Sequence, residues 1–179
     1  MVLPILITEI FNRFIELAEA PLVYKEMLWI IIPLLLTMLL MELYFGRYKY
    51  EELGWNTAYG NALVLIFVAV DLFRWLYMND MLTYLHLKNV LAIAVVFEGI
   101  LLTLINFLHL LPKEVAFGVS SKLPMNFIAY TAVILIYSNI PIDWITLAAS
   151  ILFLVAMAVF IKLVQLIIPA SVEEEEAVE

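Results

Sequence analysis

Cysteine is absent from this chain, which excludes disulfides, thiolate metal sites and cysteine nucleophiles. Glycine is scarce, with five residues, and none forms a P-loop or other phosphate cradle, so direct use of ATP is not expected. Basic residues number 9 against 17 acidic ones, giving a net charge of −8. No basic stripe exists of the kind nucleic acid requires. The two histidines stand apart from each other and from any dense carboxylate set. GxSxG, HExxH and GxGD motifs are all missing, which leaves a hydrolase or metalloenzyme reading without residues. No cofactor or metal site can be assigned.

What the chain has in abundance is apolar surface. Residues of the AVILMFWYC class make up 66% of its 179 positions, and its mean hydropathy is +1.06. A soluble core of this size cannot absorb that much apolar surface. The fold class expected is therefore all-α: a polytopic membrane bundle of five transmembrane helices preceded by an amphipathic interfacial helix. A spanning helix needs about 20 mostly apolar residues, and five such runs fall at residues 27–45, 55–77, 90–111, 123–140 and 142–168. The whole chain, 1–179, forms one integral membrane domain on this reading.

Prolines at 21, 112, 124, 141 and 169 mark the breaks, because proline lacks an N–H and disfavours helix in the residue before it. Pro33 lies inside the first span and is expected to kink it. Trp29, Trp55, Trp75 and Trp144 all fall near span ends, as indole prefers the headgroup zone. Residues 80–89 offer either an extension of the third span or an interfacial segment. Only residues 140–143 join the fourth span to the fifth, so a tight hairpin is expected there.

Residues 1–25 lack a basic start and a small-residue cleavage site, so a cleaved leader is not expected. Leu3, Leu6, Ile7, Ile10, Phe11, Phe14 and Ala18 recur at helical spacing instead, opposite Thr8, Glu9, Asn12, Arg13, Glu16 and Glu19. That is an amphipathic helix over 3–20, with Glu9 and Arg13 spaced to pair. Its face through Leu6, Ile10 and Phe14 rests on lipid at the interface or contacts a partner subunit. Residues 171–179 carry five glutamates and no base and read as a disordered acidic tail.

Orientation is nearly balanced under the positive-inside rule. Arg47, Lys49, Lys113, Lys122 and Lys162 lie on the tail side, against Arg13, Lys25, Arg74 and Lys88 on the other. The count leans to a cell-membrane protein with its N-terminus outside and its tail in the cytoplasm.

Function must come from polar groups at membrane depth, where a charge costs about 2.5–3.5 kcal/mol. Asp71, Arg74 and Glu98 are placed to meet as one layer, the two acids roughly 9–12 Å below one face at ~1.5 Å rise per residue. Asn61 and Asp71 share a sector of the second span. Glu98, Leu102, Ile105 and His109 share a stripe on the third. Glu42, Lys162 and Asn126 join Asn61 and His109 near the opposite face.

Two readings of the acid layer stand. In one, Asp71 and Glu98 bind or relay a cation or proton while Arg74 tunes them, with Asn61 and His109 along the path. In the other, Asp71 pairs with Arg74 on its own helix and Glu98 is protonated and hydrogen-bonded. The function expected is transport-type, an oligomeric cation or proton conduit. The alternatives are a non-catalytic accessory subunit of a larger membrane complex and a membrane-embedded lipid enzyme. No inverted repeat of the carrier kind is seen. The partners expected are the lipid bilayer and copies of this chain or other membrane subunits.

Overall fold

The computed structural model describes residues 2–48, 51, 53–82 and 86–169. The predicted acidic tail, 171–179, lies outside them. Every described regular element is helical: α1 (Val2–Val23), a 3₁₀ turn (Lys25–Met27), α2 (Leu28–Arg47), α3 (Trp55–Met78), α4 (Leu87–Leu108), α5 (Lys113–Val119), α6 (Lys122–Tyr137) and α7 (Trp144–Ile167). Among the described residues, five segments are long and apolar enough to cross a membrane: Lys25–Arg47, Trp55–Met78, Leu87–Leu108, Lys113–Tyr137 and Trp144–Ile167. The fourth is a broken span. It begins as α5, where the sequence pattern suggested a loop, turns at Ser120 and Ser121, and continues as α6.

Several prolines act inside helices as well as between them. Pro112 N-caps α5, and Pro124 sits in the first turn of α6, where the missing N–H has no partner to lose. Pro21 and Pro33 are carried within α1 and α2. The 138–143 connection is short, and α7 starts cleanly because the Asp143 side chain accepts a hydrogen bond from Thr146 N at 2.8 Å.

α6 is the centre of the bundle. Residues 132–138 are buried without interruption, and α6 packs against α2, α3 and α4. α3 and α4 form the tightest pair, because small residues let their backbones approach. Ala58, Ala62 and Ala69 of α3 and Ala92 and Gly99 of α4 are buried, and Gly99 approaches Leu65 and Ile66 of α3. A Cβ on Gly99 would stand 3.0 Å from Ile66 Cγ1 and 3.1 Å from Ile66 N.

α1 packs along α7, and its buried stripe differs from the predicted one. Leu17, Ala20 and Pro21 are buried, and Ile10 and Phe14 are partly buried against the chain's own core. Leu3, Ile7 and Phe11 face outward. The contact stripe is rotated by about one residue, and Phe14 meets Phe153, which stacks on Tyr130. Arg13 pairs with Glu16 at 2.9 Å, and not with Glu9 as the spacing suggested.

Candidate functional site

The proposed acid layer resolves into two separate places. On α3, Arg74 donates to Asp71 Oδ1 from Nε (2.9 Å) and from Nη2 (2.6 Å). The Tyr137 hydroxyl of α6 donates to the other carboxylate oxygen at 2.5 Å. Arg74 Nη2 also reaches the Tyr137 oxygen at 3.4 Å. Asp71 is thus neutralised by one guanidinium and bonded on both oxygens. Trp75 lies against Tyr137, ring centroids 4.8 Å apart, and donates to Glu26 at 3.3 Å. Lys88 completes the knot: its ammonium donates to Ile136 O (2.9 Å) and Ser138 O (2.7 Å). A cation on the last carbonyls of α6 satisfies groups that a helix end leaves orphaned.

Sequence reasoning missed Tyr137 and Lys88. The spacing of Asp71 and Arg74 signalled their pairing, but a phenol 63 residues from Arg74 carries no such signal.

Glu98 does not join this knot. α4 begins at Leu87, so Glu98 falls at the middle of the helix, about 15 Å from either end at ~1.5 Å per residue. It is partly buried and, among the described residues, has no hydrogen-bond or ion-pair partner, in contrast to the hydrogen-bonded acid of the second reading. Its side chain lines a cleft of about 340 Å³ between α4, α6 and α7. Leu91 and Val95 of α4, Ile128 and Leu135 of α6 and Leu147 and Ile151 of α7 make its walls apolar. Thr131, Thr146 and Ser150 supply hydroxyls, and Asp143, the N-cap of α7, joins the lining.

That end is braced. Arg13 of α1 donates to Thr146 Oγ1 at 2.7 Å and to Pro141 O at 3.4 Å, and lies 3.8 Å from Asp143. The Thr146 hydroxyl donates to Pro141 O at 2.6 Å. The backbone N–H of Thr146 holds the Asp143 carboxyl below the usual carboxylate range, with smaller help from the Thr146 side chain and Arg13.

The remaining predicted residues have structural surroundings. Asn61 donates to Ser120 O at 2.8 Å, and Asn106 donates to Ser120 Oγ at 2.8 Å. All three are buried, so the asparagines pin the break between α5 and α6. His109 is exposed, takes the left-handed conformation that closes α4 (φ 53), and stacks on Trp55 at 4.0 Å. It is a surface cap and not a neighbour of Glu98. Gln165 bridges Glu42 (2.7 Å) and Lys162 (3.2 Å) where α2 meets α7. Asn126 bonds to Lys122 O of its own helix. No group of three or more His, Asp or Glu that could hold a metal occurs among the described residues.

Five helices long and apolar enough to span are compatible with an integral membrane protein. Comparison with known protein families, with characterised proteins and with solved structures finds no match to this chain.

Proposed function

We propose that this protein is transport-type, and that its working group is Glu98, a carboxyl that exchanges a proton or cation at mid-membrane. One observation carries the reading: an unpartnered carboxyl at the midpoint of a spanning helix, lining a cleft that reaches the Asp143 face. A charge left unpaired at that depth costs about 2.5–3.5 kcal/mol, and the described residues supply two hydrogen-bonding neighbours to Asp71 and none to Glu98. The cleft gives the carboxyl a route to one membrane face. Passage to the other requires movement of α4 or α7, or a wall from a second copy or another subunit, because the cleft is open on its lipid side, where Leu147 and Ile151 are exposed. Asp71, Arg74 and Asn61 hold the scaffold in this reading, and the protein sits in the cell membrane with its tail in the cytoplasm.

The test is proton flux in liposomes containing the purified protein and an internal pH-sensitive dye. Glu98→Gln is expected to abolish protein-dependent flux, while Asp71→Asn retains it. Equal flux from wild type and Glu98→Gln would remove the proposal.

The same open side favours a second reading, an accessory subunit whose neighbour covers the cleft and pairs with Glu98. Extraction from the source membrane with other chains at a fixed ratio would select it.

A further inference from the structure

We propose that the α4–α6–α7 cleft is a binding site for an amphipathic organic cation, whose ammonium group pairs with Glu98 and whose alkyl or aryl groups lie on the apolar walls. The inference deepens the transport reading and rests on it, because it names the class of cation that the same carboxyl takes.

The chemistry of the walls selects the ligand. A small inorganic cation gives up its water only for a shell of several oxygen ligands. Around Glu98 the cleft offers one carboxylate and the scattered hydroxyls of Thr131 and Ser150. The Thr146 hydroxyl is already engaged with Arg13 and with Pro141 O, and Asp143 is held at the mouth by Thr146 N. Among the described residues, no group of three or more His, Asp or Glu offers a shell, and Asp143 is the other acid of the lining. An organic cation has no such requirement: its charge is spread under apolar groups, it sheds water at lower cost, and each Å² of apolar surface it buries contributes about 25 cal/mol. Leu91, Val95, Ile128 and Leu135 provide that surface, and a cavity of about 340 Å³ lies within the range of small-molecule sites.

A neutral ligand would leave the carboxyl without a counter-charge, and an anion would be repelled by it. The cleft is also reachable by the route an amphipathic cation takes, since such molecules partition into the bilayer and the rim residues Leu147 and Ile151 face it. Cation and proton then compete for one carboxylate, so each cation bound displaces a proton and charge is conserved at the site. α6 contributes no titratable side chain to this lining. α7 contributes Asp143 at the mouth, braced by Arg13 of α1. On the α3 side, Leu65 and Ile66 lie nearest Gly99, the residue next to Glu98.

The test is calorimetric titration of the protein in nanodiscs with tetrapropylammonium, repeated in buffers of different ionisation enthalpy to count protons released. Saturable binding with proton release is expected. Glu98→Gln should weaken it by about 10- to 100-fold, the worth of a charge-assisted contact of about 1.5–3 kcal/mol. Ala94→Phe, at an exposed position on the cleft rim, should weaken it while leaving the carboxyl in place, which guards against a folding defect in the first variant. Asp71→Asn should bind as wild type does. Absence of saturable binding, or binding equal in wild type and Glu98→Gln, overturns the inference. If flux in liposomes still depends on Glu98 in that case, the transport reading stands without an organic substrate. If neither binding nor flux depends on Glu98, both are overturned.

Discussion

Asp71 and Glu98 are both acids on neighbouring helices of the same tight pair, yet the fold treats them oppositely. Asp71 lies near a helix end, touches a guanidinium and a phenol, and is held on both oxygens. Glu98 lies at mid-helix in an apolar cleft and has no hydrogen-bond or ion-pair partner among the described residues. A membrane protein can keep a charged residue by pairing it internally, or by leaving it where something from outside can reach it. The knot at Tyr137 is the first solution. The cleft is the second, and on the proposed reading the first acid serves stability and the second serves function.

The largest effect expected is on activity. Glu98→Gln should reduce proton flux in liposomes to the protein-free background while its thermal unfolding in detergent stays within about 1 kcal/mol of wild type, since no described contact is lost. Flux at wild-type level would erase the contrast.

Second is the seam between the two helices on which the acids stand. Gly99→Leu should destabilise the protein by about 1–3 kcal/mol or more, the cost of overpacking a close backbone approach, because even a Cβ there meets Ile66 N at 3.1 Å. Thermal unfolding checks it, and an unchanged midpoint would mean that α3 and α4 do not approach as described. Third, Tyr137→Phe removes one hydrogen bond to Asp71 and should cost about 1 kcal/mol without changing flux. A flux defect in this variant would make the knot part of the path and blur the distinction.

The smallest effect concerns the third acid, at the mouth of the cleft. The folded-state pKa of Asp143 is depressed. Its contribution to stability is therefore fully present above the unfolded value of ~3.9 and lost as pH falls through the lower folded value. Wild type should lose a small increment of stability below about pH 4 that Asp143→Ala lacks. Parallel pH profiles for the two proteins would remove this role of Asp143.

Much of the architecture was legible in the residues. Five apolar runs of sufficient length gave five spans, and tryptophans at the ends placed their edges. The break in the fourth span was not legible. Lys113, Glu114 and Lys122 make that stretch look like a loop, and only the buried asparagines on α3 and α4, bonding to Ser120, show why the chain turns there. The rotation of the α1 stripe was equally hidden, since an amphipathic pattern fixes that a helix has an apolar side but not which edge of it meets a partner. The pairing of Asp71 with Arg74 was readable because it is local, three residues apart on one helix.

Composition and hydropathy by themselves determined five helices long and apolar enough to cross a bilayer, since apolar length and intrahelical hydrogen bonding are local properties. They also determined which few side chains carry charge within it. Only the tertiary structure decided that Asp71 is answered and Glu98 is not. Whether a buried carboxyl has a partner depends on groups distant in sequence and on which helix face meets which neighbour, and no one-dimensional pattern records either.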